Sequence, residues 1–445
     1  MVRFFTAILL TSSTFANTPP NIVLILADDI GVETIGAYGG EYDTPHIDSL
    51  AANGVRFDYG YATPVCTTSR TRMLTGTYNF KHYEAFGHLD PNLYTLPLHI
   101  KTAGYKTVVV GKWQLAGNME IGGTGSYPAD IGYDEHFVWQ LERSLKGSRY
   151  WQPTLSENSI ATTYCKDDFG PTLINDYALD FIDRYHDQPF FIHYNCILAH
   201  DPWTTTPDSL EAVTAKEKFS GMMAYLDKMV GRIIQKLDEY DLLDNTLIWF
   251  IGDNGTHPQI TSQRNGIPIT GGKWHAKNAG IHVPFIVQWK NELPAGAVRN
   301  DLIEIMDVFP TLASAIGTKS PVPLDGIDLL PAAKGKKKRK GTRDSIYMHY
   351  DPQWGSDYFK AAMPAAKFIF DKKWKLYSDG LLYRTDLDPL ENQPIPIHSL
   401  KGKDKRHYRK LKKQFDAMNS GPLKPPYINR PLESSIPKPS PNCDP

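Results

Sequence analysis

Five short, nearly unbroken apolar runs punctuate roughly the first 320 residues, with helical patterns between them. Asn21–Ala27, Thr107–Val110, Pro189–Cys196, Thr246–Ile251 and Val283–Trp289 lack the polar alternation of a half-exposed strand. Such runs predict strands covered on both faces, as in a parallel sheet. Pro284 falls near the start of the last run, where a strand tolerates it. Between the third and fourth runs, Met222, Tyr225, Leu226, Met229, Val230, Ile233, Ile234 and Leu237 recur at helical spacing. They predict one apolar helix face against the sheet, with the Met and Tyr side chains in the core. A second helix is expected over Met306–Ile316. Strand and helix in alternation imply a doubly wound α/β fold.

The texture changes near residue 335. Lys334-Gly335-Lys336-Lys337-Lys338-Arg339-Lys340 reads as an exposed basic connection. Beyond it, Lys367–Phe370 and Trp374–Tyr377 predict a small antiparallel sheet, Lys401–Phe415 a basic helix, and the proline-rich tail from Pro422 an extended surface segment. The chain therefore divides into a catalytic α/β domain over 17–335 and a C-terminal α+β subdomain over 336–445. Before both, Arg3, the apolar run Phe4–Leu10 and Thr14-Phe15-Ala16 read as a signal peptide covering 1–16. The expectation is an exported protein, periplasmic or secreted. No apolar segment is long enough to predict a membrane span.

Composition narrows the picture a little. The 445 residues are 41% hydrophobic, enough for a large core, and 48 basic residues balance 49 acidic ones, which argues against nucleic acid as the main partner. Four cysteines are too few for a disulfide scaffold. A Cys165–Cys443 bridge fits an oxidising compartment, but spacing alone does not establish it.

Candidate chemistry clusters where the apolar runs end. Asp28-Asp29 follow the first, Gly111-Lys112-Trp113-Gln114 the second, Ala199-His200-Asp201-Pro202 the third and Gly252-Asp253-Asn254-Gly255 the fourth. In open α/β sheets ligands bind in the crevice outside the carboxyl ends of the strands. An Asp-Asp pair after a strand can simply cap a helix or form a turn. Asp253-Asn254 at an equivalent strand end favours a shared cation. Asp28, Asp29, Asp253 and Asn254 offer hard oxygen ligands, which suit Ca²⁺ better than softer metals. On that reading the Asn254-Gly255-Thr256 sequon is not a glycosylation site. Arg70, Lys112, Lys273 and His200 form a cationic set suited to a doubly charged tetrahedral anion. His200 is placed to give a proton to a leaving oxygen, its ordinary pKa lying near neutrality. His275 and His282 are weaker candidates.

One segment joins the two sets: Thr63-Pro64-Val65-Cys66-Thr67-Thr68-Ser69-Arg70-Thr71-Arg72-Met73-Leu74-Thr75-Gly76. A helix beginning near Thr68 would aim its free N–H groups at Cys66 and let Arg70 lean over it. A buried cysteine before an ordinary helix remains the plainer reading of this segment alone.

Taken with Asn21–Asp29, Thr44–Ala51, Gly111-Lys112-Trp113, His200-Asp201-Pro202, Gly252–Gly255 and Lys273–Pro284 in that order, the chain resembles the type I, formylglycine-dependent sulfatases of the alkaline phosphatase superfamily. The resemblance covers roughly Asn21–Leu330. It implies a large mixed, mostly parallel sheet flanked by helices, with a smaller C-terminal α+β subdomain. It also implies that a maturation enzyme oxidises Cys66 to formylglycine, whose hydrate attacks sulfur. Asp28, Asp29, Asp253, Asn254 and the modified Cys66 would hold Ca²⁺. Arg70 would stabilise the hydrate, Lys112 and Lys273 would grip sulfate, and His200 would protonate the leaving alcohol. Gln114 and His275 would contact substrate.

The chain departs from the family pattern in three places. Thr68 stands where proline or alanine is usual, Gln114 where histidine is common, and Asn278–Pro284 replaces a more usual Glu-Gly-Gly-x-Arg segment. The expected activity is hydrolysis of sulfate esters on an extracellular sulfated carbohydrate. Trp151, Trp203 and Trp354 are either core residues or sugar-stacking ones. The competing readings are a phosphoric ester hydrolase of the same superfamily and a catalytically silent sulfated-glycan binder.

Overall fold

The computed structural model describes residues 19–82, 85–118, 123–142, 147–336, 342–352, 363–418, 437–441 and 443. The leader expected at 1–16, Lys337–Lys340 of the basic run, Trp354 and residues 422–436 of the tail lie outside them.

An 11-stranded sheet organises the chain. Its strands are β1 (Asn21–Ala27), β2 (Val55–Tyr61), β3 (Lys106–Lys112), β4 (Glu135–Trp139), β5 (Thr154–Glu157), β6 (Ile160–Thr163), β7 (Phe190–Asn195), β8 (Thr246–Gly252), β9 (Phe285–Gln288), β10 (Ala297–Glu304) and, from the far C-terminus, β15 (Lys438–Pro439). The spatial order is β10-β2-β9-β8-β1-β7-β3-β4-β5-β6-β15. The centre is parallel: β1 lies between β7 and β8, and β3 between β7 and β4. The last apolar run forms β9, antiparallel to both β8 and β2, so the sheet is mixed.

Burial follows the sequence logic. Every residue of β1 is buried; Val23, Ile25 and Ala27 enter one core cluster, and Ile22, Leu24 and Leu26 the other. Apolar residues at every position from Ile22 to Ala27 are what two covered faces require. The long helix α3 (Ala215–Glu239) covers the first face beside α2 (Gly170–Tyr185). A capping box between Thr214 and Glu217 starts α3, and its buried stripe includes Met222, Tyr225, Leu226, Met229, Val230, Ile233 and Leu237. Ile234, expected in that stripe, is only partly buried. The helix expected over Met306–Ile316 opens as a 3-10 turn (Ile305–Asp307) and continues as α4 (Val308–Ala315) on the second face.

After the basic run, β11 (Ile346–Tyr350), β12 (Ala366–Phe370), β13 (Lys375–Tyr377) and β14 (Leu382–Tyr383) form a separate antiparallel sheet. The basic helix is α5 (Gly402–Ala417), exposed except for its Leu411 stripe. Two buried ionic knots tie this region to the main sheet. Arg72, in the helix that starts at Cys66, bonds Glu304, which also lies 3.3 Å from Arg343. Lys375 pairs with Glu391 at 2.9 Å, and both are almost fully buried. At the opposite sheet edge β15 pairs with β6, and a Cys165–Cys443 disulfide closes the same corner.

Candidate active site

The strand ends converge. Asp28 and Asp29 follow β1 directly, and Asp253 follows β8, its parallel neighbour in register. The Asp29 N–H donates to Asp253 Oδ1 at 3.1 Å, and Asn254 Nδ2 donates to Asp29 Oδ1 at 2.8 Å. Lys112, the last residue of β3, reaches both oxygens of Asp28 at 2.8 and 3.0 Å. Gly111, just before it, has φ +96°, and a Cβ there would sit 1.8 Å from the Asn195 carbonyl oxygen, so only glycine fits. Lys273 comes from the loop before β9. Its Nζ lies 2.6 Å from Asp29 Oδ2 and 2.8 Å from His200 Nε2.

The cysteine arrives on α1 (Cys66–Thr75), which begins two residues earlier than the sequence suggested and is buried throughout. Its first turn is stabilised by hydroxyls: Thr68 Oγ1 donates to the Val65 carbonyl at 2.9 Å, and Thr63 Oγ1 meets both Thr68 and Ser69. Thr68 thus serves the helix start itself. Arg70 turns its guanidinium onto Asp253 Oδ2 (2.9 and 3.1 Å) and the Lys112 carbonyl. Cys66 Sγ donates to Gln114 Oε1 at 3.4 Å. One ligand atom each from Cys66, Asp28 and Asp253 lies within 4.8 Å of the others, and Asp28, Asp29 and His200 form a second such group.

The electrostatics are those of a crowded acidic pocket. Burial and the neighbouring Asp28 push Asp253 up to about 7, and burial outweighs Lys273 to raise Asp29. Asp28, although equally buried, is held below its usual value by Lys112, Arg70 and Lys273. Two carboxylates raised by burial and mutual repulsion are what a divalent cation would relieve. Asn254 Oδ1 is buried with no hydrogen-bond partner, although its Nδ2 is doubly engaged. A buried acceptor left unpaired is costly unless something binds it. The donor set therefore fits a hard cation such as Ca²⁺. Burial also raises the Cys66 thiol, so the unmodified side chain is a poor nucleophile at neutral pH.

Comparison with known proteins places the chain in a family. A family profile described as Sulfatase matches residues 20–318, and one described as N-sulphoglucosamine sulphohydrolase, C-terminal, matches 273–418. The chain belongs to the sulfatase family. N-acetylgalactosamine-6-sulfatase of Sus scrofa is 30% identical over 365 residues, covering 72% of this chain and 67% of the relative. A protein solved in complex with its substrate D-glucosamine-2-N,6-O-disulfate superposes with TM-score 0.72 at 19% identity, covering 90% of this chain and 97% of the other. The phosphonate monoester hydrolase of Agrobacterium radiobacter superposes with TM-score 0.66 at 20% identity, over 89% and 95% of the two chains. At such identities these two likenesses speak to the fold. Among the described residues of this sulfatase, no helix is long and apolar enough to cross a membrane.

Not every expected residue joins the bonded cluster. His275 is exposed, and its backbone N–H donates to Gly272. His282 is buried elsewhere, its Nε2 bonded to the Asp58 carbonyl beside a separate cavity of about 560 Å³ lined by Arg56, Tyr59 and Arg264. His200 is in place but its surroundings favour the neutral form, through burial and then Lys273, Arg149 and Lys112. Its Nδ1 donates to the Asp201 carbonyl and its Nε2 accepts from the Lys273 ammonium. The near-neutral pKa expected from residue type alone does not survive that company.

Other residues at the sulfatase site give no signal in the sequence. Arg149 stacks 3.9 Å above Trp139 and acts electrostatically on Asp28 and His200. Glu33, buried, accepts from Thr256 Oγ1 at 2.6 Å, and Thr256 accepts from the Gly31 N–H at 3.1 Å, so the trio joins the two acidic loops. Burial, outweighing the Thr256 bond, raises the Glu33 carboxyl. A carboxyl raised in the folded state contributes stability at acidic pH that is lost as pH rises through the folded value. Glu33→Gln keeps the acceptor and removes that loss. Its melting temperature should match wild type in acidic buffer and exceed it at pH 8. A difference that does not change with pH would mean Glu33 is ionised in the fold.

Proposed function

We propose that this sulfatase removes sulfate from a sulfated carbohydrate outside the cytoplasm, using a nucleophile derived from Cys66. The convergence of Cys66, Asp28 and Asp253 within 4.8 Å, ringed by Arg70, Lys112 and Lys273, carries this reading. Asp28, Asp29, Asp253, Asn254 and the Cys66 side chain are the residues that would hold Ca²⁺. A formylglycine at position 66, made by a maturation enzyme, would supply an electrophilic carbon whose hydrate is the nucleophile, and Ca²⁺ would offset negative charge beside it.

The protein's own side chains do the rest. Lys112 is bonded to Asp28 and Lys273 to Asp29, so a sulfate held beside the pair would meet two ammonium groups. Arg70 stays locked on Asp253 and keeps its guanidinium beside residue 66, where charge develops. Gln114, half-buried and bonded to Cys66, orients that side chain; its amide can also donate to an anion but cannot carry a proton. Proton delivery to the leaving oxygen is assigned to the Lys273–His200 pair rather than to His200 alone. Lys273 Nζ already donates to His200 Nε2 over 2.8 Å, and Asp201 fixes the ring through Nδ1. The Cys165–Cys443 bridge supports an oxidising compartment.

The deciding experiment follows sulfate release from a sulfated saccharide, against phosphate release from the matched phosphate ester, in protein matured in its native host. Sulfate release should dominate and collapse with excess EGTA, and re-added Ca²⁺ should raise the melting temperature. Saturation a hundredfold above Kd is worth about 2.7 kcal/mol. Faster phosphate release would favour the phosphoric ester hydrolase. Tight sulfate binding with no release would favour the silent glycan binder.

A further inference from the structure

Three non-glycine residues at the site adopt left-handed backbone: Asp29 (φ 63°), Gln114 (φ 61°) and Trp274 (φ 72°). The first two contact the ionic cluster directly. Trp274 is the exception, because a bulky aromatic residue rarely adopts this conformation. Strain of this kind persists where the surrounding structure holds it, and it concentrates at functional positions. Here the Trp274 N–H donates to the Pro64 carbonyl at 2.7 Å, two residues before Cys66.

The conformation decides where the indole goes. Lys273 Nζ, the ammonium between Asp29 and His200, lies 5.1 Å from the Trp274 ring centroid. His257 meets the same indole edge-on at 4.7 Å, and Trp203 meets His257 at 5.1 Å. The result is an aromatic row along the rim of the cation crevice. Trp274 remains partly exposed, whereas His257 is nearly buried behind it. Polar groups stand beside the row: Asp201, with a 39%-exposed side chain, and the exposed His275.

We infer that Trp274 is a specificity-determining residue, a platform on which the pyranose ring bearing the sulfate stacks while its ester group enters the crevice. An aromatic face beside hydroxyl-binding polar groups suits a saccharide, whose rings present an apolar C–H face and a polar edge. This inference rests on the sulfatase reading above. It adds the residue that recognises the part of the substrate that does not react.

The test measures binding by calorimetry in full-length protein carrying Cys66→Ala so that the probe is not consumed, with tryptophan at 274 as the wild-type reference, N-acetylgalactosamine 6-sulfate as the ring-bearing probe and inorganic sulfate as the ring-free one. Trp274→Gly accepts the left-handed backbone without the indole, Trp274→Asn is a second ring-less variant that tolerates it, and Trp274→Phe retains a ring. The ring-less variants should bind the sugar sulfate about fivefold to tenfold more weakly than wild type and inorganic sulfate within twofold of it. Phenylalanine should restore most of the difference. Equal weakening of both probes, no weakening of either, or wild-type protein that binds the sugar no tighter than sulfate overturns the inference. A Trp274-dependent sugar preference, with no sulfate released by protein that retains Cys66, would leave this inference standing and remove the hydrolytic one.

Discussion

Cys66→Ala is expected to abolish sulfate release, with turnover falling on the order of 10⁴-fold or more. The fold should hardly notice. The Cys66 side chain is small and makes one side-chain hydrogen bond, to Gln114, while helix α1 is fastened by Thr63, Thr68 and Ser69 around it. Stability should therefore stay within about 1 kcal/mol of wild type. The variant should also keep its affinity for inorganic sulfate, because Lys112 and Lys273 are anchored to Asp28 and Asp29 rather than to Cys66. Mass spectrometry of the peptide containing residue 66, from wild-type protein matured in its native host, should find an aldehyde in place of the thiol. Unchanged turnover in Cys66→Ala would remove the nucleophile assignment outright. An intact thiol in fully active protein would put the chemistry elsewhere, since burial makes that thiol hard to ionise.

That experiment is possible because the strand ends were readable. A parallel strand covered on both faces must be apolar along its length, so its last apolar residue marks where the chain leaves the sheet. The polar residues that come next are delivered to one edge, which is how Asp28, Lys112, His200 and Asp253 could be placed together from residues 84 to 225 apart in pairings such as Lys112–Asp28 and Asn254–Asp29. The antiparallel β9 was less legible: its composition matches the parallel runs, and only partner choice sets its direction. Side-chain protonation was not legible. His200 looked like a neutral-pH acid by residue type, yet its state is set by Lys273 and by burial, neither of which sequence spacing reveals. Trp274 was invisible for a related reason, since a positive φ at a tryptophan has no compositional signature. The ionic knots are also silent in sequence, because lysines and glutamates usually face water.

The knot at Glu391 is where that silence hides the largest effect on stability. Glu391 Oε1 accepts from Lys375 Nζ at 2.9 Å and from the Asn278 N–H at 2.6 Å, while Oε2 accepts from Tyr377 Oη at 2.5 Å. Lys375 Nζ also reaches the Ala276 carbonyl. One carboxylate therefore joins the small antiparallel sheet to the loop that carries Lys273. Glu391→Ala removes the anion from beside a buried ammonium and deprives the Asn278 N–H of its acceptor, while Tyr377 keeps its bond to the Ala276 carbonyl. Losing one partner of a buried pair costs about 3–5 kcal/mol. Burial already lowers the Lys375 pKa, so the variant can shed part of that cost by releasing the lysine proton, and it should be relatively more stable in alkaline buffer. Lys375→Met/Glu391→Leu, which removes both charges, should recover in chemical denaturation the part of the loss that comes from the uncompensated ammonium. Turnover should fall several-fold in Glu391→Ala even where the protein remains folded, because residues 276–278 no longer fix the approach of Lys273. A denaturation midpoint matching wild type would mean the pair is solvated and merely incidental to the join.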